Sequence, residues 1–232
     1  MSAAKTKLLA VDLDGTLVDS APDIAHCVGV ALEAVGLDAP GEARPRTWIG
    51  DGIETLLARA IAAGDAERGG RGALHDARAI ADRQAAAFAA FSACYRKNLF
   101  ERSELYPTVE ATLDALLARG IRLCCITNKR YAFSEALLRE AGLLNRFELL
   151  LGGDSLPEKK PSPLPLTTAA ERLGVEPRFA TLVGDSPQDL RAARAAGFGF
   201  VFAAYGYGKV DPNELGSSPR IERFAEIESL LD

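Results

Sequence analysis

From about residue 106 to residue 203, short apolar runs alternate with helical segments, and this alternation limits the possible folds more than any other feature. Four runs have the length of buried strands: 121–126, 147–151, 180–183 and 199–203. The helical segments that separate or precede them are 109–119, 133–141, 164–173 and 187–196. Strands joined by helices form right-handed crossovers and a parallel sheet. We therefore predict a doubly wound, Rossmann-like α/β core, to which an apolar run at 7–11 adds a strand.

The stretch between the first strand and residue 106 has a different character. It is rich in Ala and Arg, lacks β-branched runs, and predicts helices at 22–35, 53–63 and 74–97. Ordinary connections between elements have about 2–6 residues, so this stretch is too long to be one. We predict that residues 20–102 form an inserted all-helical cap, and that residues 1–19 and 103–232 form the α/β core.

Charge and hydropathy exclude several classes of partner. Lys and Arg number 27 against 32 Asp and Glu, a net charge of −5, so the chain lacks the broad basic surface of a nucleic-acid-binding protein. No run approaches the roughly 20 apolar residues of a membrane helix. The short polar start does not resemble a signal peptide. We expect a cytoplasmic protein, a monomer or homodimer, with no nucleic-acid and no membrane partner.

The cysteines predict no disulfide framework. They are Cys27, Cys94, Cys124 and Cys125, and no two of them form a C-x-x-C pair. A chain of this length can bury a core without covalent bridges. We therefore expect reduced, mostly buried thiols.

Polar side chains collect where the predicted strands end. They are Asp12, Asp14, Thr127, Asn128, Asp154, Asp185 and Asp189. Ligands of open parallel sheets bind outside these strand ends, although an Asp after a strand also commonly caps a helix. Several carboxylates in one crevice repel each other unless a cation is present, and hard oxygen ligands favour Mg²⁺. The two histidines lie apart in sequence, which argues against zinc.

The order of these motifs resembles that of the haloacid dehalogenase superfamily with a helical cap. The four matching segments are Asp12-Leu-Asp14-Gly-Thr16, Thr127-Asn128, Lys160-Pro161 and Gly184-Asp-Ser-Pro-Gln-Asp189. More narrowly, residues 105–107, 127–129, 153–161 and 204–208 resemble bacterial phosphoglycolate phosphatases. The resemblance implies a Mg²⁺-dependent phosphatase that acts on a small anionic phosphomonoester, 2-phosphoglycolate being the expected substrate.

The resemblance also implies a role for each motif residue. Asp12 is the expected nucleophile, which forms an aspartyl-phosphate, and Asp14 is the expected acid and base for the leaving group and the water. Thr127 and Asn128 are expected to bind the phosphoryl group. Lys160 is expected to neutralise its charge, and Lys159 is the competing candidate for that lysine.

The same resemblance implies a metal site. The expected Mg²⁺ ligands are the Asp12 carboxylate, the Asp14 backbone carbonyl and the Asp185 carboxylate. Asp189 is expected to hold Lys160 or a metal-bound water, because it lies one helical turn after Asp185.

The expected cap contains one segment suited to recognising the rest of a substrate. Gly50, Asp51 and Gly52 precede the helix predicted from residue 53, and glycines let a backbone come close to a ligand. Amides at a helix start favour a carboxylate. The alternative interpretation is an ordinary turn in which Asp51 caps the helix.

Several other functions remain open at this point. A sugar-phosphate phosphatase, including one acting on N-acetylmuramate 6-phosphate, or a sugar-phosphate mutase would use the same motifs. A dehalogenase is disfavoured, because it would need neither Asp14 as an acid nor Mg²⁺. A phosphonate hydrolase uses a cap lysine, and it is disfavoured because the predicted cap contains only one lysine, Lys97, at the end of its long helix. A non-catalytic protein that binds a phosphate ligand would be expected to have lost Asp12 or Asp14, and both are present.

Overall fold

The chain divides into two compact units. A computed structural model describes residues 6–41, 43–69 and 76–231. One unit contains the residues up to Asp19 and from Glu104 onward, and the other is Ser20–Ser103. We call them the α/β unit and the helical unit.

The α/β unit is built on a parallel sheet. The strands within the described residues are β1 (Leu8–Val11), β2 (Val18–Asp19), β3 (Glu104–Leu105), β4 (Arg122–Ile126), β5 (Leu149–Leu151), β6 (Ala180–Gly184), β7 (Gly199–Ala203) and β8 (Arg220–Ile221). Six of these form the sheet, in the order β5-β4-β1-β6-β7-β8, and each neighbouring pair is parallel. The predicted doubly wound α/β fold is confirmed; the short edge strand β8 was not predicted.

Helices alternate with these strands. In the described residues they are α1 (Ala21–Ala34), α2 (Ala43–Arg46), α3 (Ile53–Glu67), α4 (Ala77–Lys97), α5 (Val109–Ala118), α6 (Tyr131–Glu140), α7 (Leu164–Arg172), α8 (Pro187–Ala196) and α9 (Pro212–Leu215). Short 3-10 turns lie at Leu144–Arg146, Pro177–Phe179 and Phe224–Leu230. Helix α8 begins with Pro187, whose fixed φ and missing N–H suit a first turn.

Strand β1 lies at the centre of the sheet and positions the site. All four of its residues are fully buried, as expected for an apolar strand covered on both faces. Leu8 pairs with Arg122 of β4 on one side and with Ala180 of β6 on the other. The carboxyl ends of β1, β4 and β6 are therefore neighbours.

The chain also forms a two-stranded antiparallel ribbon. Val18 of β2 pairs with Leu105 of β3, and Asp19 pairs with Glu104. The chain leaves the α/β unit directly after β2 and returns to it at β3. We call β2 and β3 the ribbon.

In the helical unit, α3 extends further than predicted. It runs to Glu67 and so passes through Gly64, where we expected it to end. A Cβ at Gly64 would lie 3.0 Å from the Leu37 side chain, so this glycine serves close packing and not helix termination. Helix α4 is described from Ala77, and residues 74 and 75 of the predicted helix lie outside the described residues. None of the described helices combines the length and apolarity needed to cross a membrane.

The prediction of reduced thiols is wrong for two of the cysteines. Cys27 on α1 and Cys94 on α4 form a disulfide, with Cα atoms 5.5 Å apart and a separation of 67 positions in sequence. The pairing comes from two helices packed side by side, which no local spacing reveals. Cys124 and Cys125 on β4 are free and buried.

Candidate active site

Asp12 lies where the central strand ends. Its backbone N–H donates to the Val183 carbonyl of β6 at 3.0 Å, which continues the pairing of β1 with β6 for one more residue. Asp12 is 8% exposed. On the two neighbouring strands, Thr127 follows β4 and Asp185 follows β6, and both are buried. The structure therefore brings the carboxyl-end residues of three adjacent strands to one edge of the sheet.

Lys160 is the positive centre of this edge. Its Nζ donates to Asp12 Oδ1 at 2.7 Å, to Asp189 Oδ1 at 2.5 Å and to the Ile126 carbonyl at 2.6 Å. Although burial alone would lower the pKa of Lys160, the carboxylates of Asp12 and Asp189 raise it above its ordinary value. Asn128 Nδ2 donates to the Lys160 carbonyl at 2.9 Å and so anchors the lysine's backbone. Lys160, rather than Lys159, makes these contacts.

Asp189 is a structural partner of that lysine. Its Oδ2 accepts hydrogen bonds from the Ser186 N–H at 3.1 Å and from the Ser186 hydroxyl at 2.5 Å. The Asp189 N–H in turn donates to the Ser186 hydroxyl at 3.3 Å, which completes a capping box at the start of α8. Its other oxygen faces Lys160. A Cβ at Gly184 would collide with the Asp189 carboxyl group, so the glycine allows this approach.

Three carboxylates share a small volume. One ligand oxygen from each of Asp12, Asp185 and Asp189 lies within 4.8 Å of the others. Burial raises the pKa of Asp12 to about 7, against the lowering effect of Lys160. Burial also raises the pKa of Asp185 to about 8, and the charges of Asp12 and Asp189 raise it as well. These are hard, buried oxygen donors whose three carboxylates outnumber the single charge of Lys160, and such a set fits Mg²⁺.

Asp14 forms an ion pair with Lys129 that was not predicted from the sequence. Lys129 Nζ lies 3.0 Å from Asp14 Oδ1 and 3.1 Å from Oδ2, and both side chains are about nine-tenths buried. The Lys129 N–H donates to the Thr127 hydroxyl at 3.2 Å. The available signal was that Lys129 lies in the Thr127-Asn-Lys129 segment, three residues after the end of the predicted strand at residue 126.

Asp154 does not enter the carboxylate cluster. Its Oδ1 accepts from the Tyr131 N–H at 2.7 Å, and its Oδ2 accepts from Arg130 Nε at 3.0 Å. Although burial raises its pKa, these two donors lower it below its usual value. Its position after a strand therefore reflects the anchoring of the first turn of α6.

A loop after β7 also belongs to the site and was not predicted as part of it. We call residues 204–208 the tyrosine loop. The backbone N–H groups of Tyr207 and Gly208 donate to Asp185 Oδ2 at 2.7 and 3.0 Å. The Tyr205 hydroxyl donates to the Thr16 carbonyl at 2.9 Å. The alternating glycines of Tyr205-Gly-Tyr-Gly208 were the available signal, because they permit close backbone approach.

Gly50, Asp51 and Gly52 lie in the helical unit, directly before α3. Their expected role in substrate binding stays a prediction. Gly50 has φ +121° and Gly52 has φ +87°, values that favour glycine. The N-cap position of α3 is Gly52, so the alternative with Asp51 as the cap is wrong. Asp51 instead pairs with Arg59 of α3, with 2.5 Å between Oδ2 and Nη2.

A comparison with protein families agrees with this geometry. The sequence profile of the haloacid dehalogenase-like hydrolases matches residues 6–197, most of the chain. The chain belongs to this family. The resemblance in the sequence motifs is therefore confirmed at the level of the family.

Individual relatives in this family cover nearly the whole chain. A protein of Nitrosococcus oceani named phosphoglycolate phosphatase is 39% identical over 229 residues, which cover 97% of this chain and 96% of that one. A protein of Chromobacterium violaceum with the same name is 38% identical and covers 100% of this chain and 99% of its own. A crystal structure of a predicted phosphoglycolate phosphatase from Haemophilus somnus is 34% identical, with a TM-score of 0.90 and 98% of both chains covered.

Proposed function

We propose that this hydrolase is a Mg²⁺-dependent phosphatase that converts 2-phosphoglycolate to glycolate and phosphate through an aspartyl-phosphate on Asp12. The observation that carries the proposal is the buried contact of Asp12 with Lys160, 2.7 Å apart, inside a cluster with Asp185 and Asp189. The choice of substrate is supported by relatives of about 39% identity that carry the name phosphoglycolate phosphatase.

In the first step, an oxygen of Asp12 attacks phosphorus as the bond from phosphorus to the glycolate oxygen breaks. Asp14 gives its proton to that leaving oxygen. Lys160 supplies positive charge next to the attacking carboxylate, and the Thr127 hydroxyl is a donor for a phosphoryl oxygen. Lys129 holds the Asp14 carboxylate in place through both of its oxygens.

In the second step, a water oxygen attacks phosphorus and the bond to Asp12 breaks. Asp14 takes the proton from this water and so returns to its starting state. Asp12, the Asp14 backbone carbonyl and Asp185 would hold Mg²⁺, which supplies charge neutralisation for the phosphoryl oxygens. Asp189 keeps Lys160 directed toward Asp12 through its contact of 2.5 Å.

The helical unit would act as a cap that reads the rest of the substrate. The core motifs bind only the phosphoryl group, so a second surface must recognise the carboxylate of 2-phosphoglycolate. Gly50, Asp51 and Gly52 at the start of α3 are our candidates, because the backbone N–H groups of a helix start favour a carboxylate. The residues 50 and 52 have positive φ, and a bulky side chain there would be strained.

A phosphate-release assay over a panel of phosphomonoesters, with Mg²⁺ and with EDTA, tests this function. We expect 2-phosphoglycolate to have the highest kcat/KM and EDTA to abolish turnover. A higher kcat/KM for a sugar phosphate would overturn the substrate, and bisphosphate-dependent transfer between sugar positions would indicate a mutase. Turnover that survives complete metal removal would overturn the metal site.

The role of the segment before α3 has its own test. Replacing Gly52 by Leu should raise KM for 2-phosphoglycolate more than KM for p-nitrophenyl phosphate, which has no carboxylate. Gly64→Ala provides the control, since Gly64 lies in the same helix but packs against Leu37. Equal losses of kcat/KM for both esters, with the fold intact, would contradict carboxylate recognition by this segment.

A further inference from the structure

We propose that Tyr207 is a positioning residue which couples Mg²⁺ binding at Asp185 to the ribbon. The proposal rests on the metal site of the proposed function and deepens it. It is carried by contacts within the α/β unit: one residue of the tyrosine loop binds the carboxylate of Asp185 with its backbone and binds the ribbon with its side chain.

The first half of the coupling lies at Asp185. The N–H groups of Tyr207 and Gly208 both donate to Oδ2 of this carboxylate, at 2.7 and 3.0 Å. Two donors on one oxygen fix the rotation of the carboxylate and direct its other oxygen. Because a metal ligand must be oriented as well as present, a shift of the tyrosine loop changes the metal site.

The tyrosine loop cannot shift independently of Asp185. A Cβ at Gly206 would collide with the Asp185 side chain and with the Gly15 carbonyl. A Cβ at Gly208 would collide with the Asp185 backbone. The loop backbone is therefore packed directly against the residue whose carboxylate it holds, and a displacement of one displaces the other.

The second half of the coupling lies at the ribbon. The Tyr207 hydroxyl donates to Asp19 Oδ1 at 2.8 Å and lies 3.3 Å from the Val18 carbonyl. Val18 and Asp19 are the two residues of β2, after which the chain leaves the α/β unit. Burial raises the pKa of Tyr207, so the hydroxyl stays a donor.

Because Tyr207 contacts both Asp185 and the ribbon, Mg²⁺ binding and the position of the ribbon influence each other. A cation that holds Asp185 in one orientation also holds the tyrosine loop, and through Tyr207 it favours one position of β2. By thermodynamic linkage, if the bound cation favours that position of β2 by a given factor, the protein with β2 in that position binds the cation more tightly by the same factor. Tyr131 offers a comparison outside the tyrosine loop, because its hydroxyl donates to Glu135 Oε1 within α6, at 3.3 Å.

The test measures Mg²⁺ binding directly, by isothermal titration calorimetry of the purified full chain. Tyr207→Phe keeps the ring and the backbone N–H and removes only the hydroxyl. We expect its Mg²⁺ dissociation constant to rise about 3- to 10-fold, the equivalent of one hydrogen bond. Asp19→Ala should give a similar rise, and the double variant should be no weaker than the weaker single variant. Asp19→Asn, which keeps Oδ1, should bind Mg²⁺ like the wild type.

Tyr131→Phe makes the same chemical change outside the tyrosine loop; it is the matched control and should change the dissociation constant by less than about 2-fold. Two further readouts separate coupling from general loosening. Excess Mg²⁺ should restore kcat of Tyr207→Phe with KM for 2-phosphoglycolate unchanged. Hydrogen exchange at the ribbon amides should slow on Mg²⁺ addition in the wild type and slow less in Tyr207→Phe.

The outcomes separate this inference from the proposed function. Wild-type protein that binds no Mg²⁺ would overturn the metal site itself. Wild-type binding that is unchanged in Tyr207→Phe and Asp19→Ala, or weakened equally in Tyr131→Phe, would overturn the coupling. If Tyr207→Phe does not fold, Asp19→Ala decides the question alone, because it removes the same hydrogen bond from the ribbon side.

Discussion

Both units of the chain contain buried carboxylates, and their surroundings differ. In the helical unit, Asp23 of α1 is 1% exposed and accepts hydrogen bonds from the N–H groups of Arg102 and Ser103, at 3.0 and 3.1 Å, and from the Ser103 hydroxyl at 2.5 Å. In the α/β unit, Asp12 and Asp189 share Lys160, and Asp185 accepts two backbone N–H groups.

The two carboxylate environments have different roles. The donors around Asp23 satisfy one carboxylate and tie the start of α1 to the end of the helical unit, which is a structural role. In the α/β unit, one oxygen from each of Asp12, Asp185 and Asp189 lies within 4.8 Å of the other two. Lys160 contacts Asp12 and Asp189, and burial raises the pKa values of Asp12 and Asp185. Burial alone therefore does not mark a functional carboxylate. An excess of negative charge over nearby positive charge marks a site built for a further ligand.

The largest expected effect comes from Asp12→Asn. Removing the proposed nucleophile should lower kcat by at least about 10³-fold, because the aspartyl-phosphate cannot form. Phosphate release from 2-phosphoglycolate by the purified variant measures this. Asp23→Asn is the matched control: it makes the same chemical change at a buried carboxylate and should leave kcat within about 2-fold. An Asp12→Asn variant that keeps more than about a hundredth of wild-type kcat would contradict the proposed role.

Lys160→Met should have the next largest effect, and on both activity and stability. It removes the cation that Asp12 and Asp189 share and leaves buried carboxylates unpaired, which typically costs about 3–5 kcal/mol of unfolding free energy. Urea denaturation measures that loss, and kcat should fall by about 10²-fold or more. Lys159→Met, at the neighbouring position, is the control. An unchanged free energy of unfolding for Lys160→Met would mean that Lys160 is not needed to offset the negative charges of Asp12 and Asp189.

A smaller effect is expected for Asp23→Asn in urea denaturation. The amide group of Asn places N–H donors where Asp23 accepts from Arg102 and Ser103, so about 1–3 kcal/mol of unfolding free energy should be lost. This loss should be the same with and without Mg²⁺, unlike that of any variant in the carboxylate cluster. A Mg²⁺-dependent loss for Asp23→Asn would break the distinction between the two kinds of buried carboxylate.

The sheet and most of the site could be predicted because both follow from periodic sequence features. Alternating strands and helices fix a parallel sheet, and a parallel sheet brings the residues after β1, β4 and β6 to one edge. The placement of Asp12, Thr127 and Asp185 therefore needed only the strand ends. The contact of Lys160 with Asp12 joins residues 148 positions apart and was not predicted; only the family resemblance indicated that Lys160 belongs to the site.

The features that were missed depend on packing between segments that share no local pattern. The Cys27–Cys94 disulfide depends on how α1 and α4 lie against each other, and Gly64 could be read as a helix stop because its packing against Leu37 is invisible in sequence. Lys129 reaches Asp14 across two loops, and loop conformation is not periodic. Asp154 was wrongly predicted to belong to the site, because it follows a strand. In the structure it accepts from the Tyr131 N–H and anchors the start of α6.

The smallest expected effect is the pH dependence of stabilisation by Mg²⁺. The pKa of Asp12 is raised to about 7 and that of Asp185 to about 8, so the folded protein binds more protons than the unfolded chain between about pH 4 and 8. Without Mg²⁺, these two groups therefore lower the stability as pH rises through that window.

Because Mg²⁺ binds the deprotonated carboxylates, the rise in Tm that it causes should grow with pH. We expect a rise of about 5 °C at pH 8 with Mg²⁺ at 100 times its dissociation constant at that pH, and a rise of less than about 2 °C at pH 5 with the same Mg²⁺ concentration. Differential scanning calorimetry at both pH values measures it. Asp185→Asn should flatten this dependence, whereas Asp23→Asn should leave it intact. A Mg²⁺ effect of equal size at pH 5 and pH 8 would mean that protons and the cation do not compete for this cluster, and the contrast between the two kinds of buried carboxylate would then need another explanation.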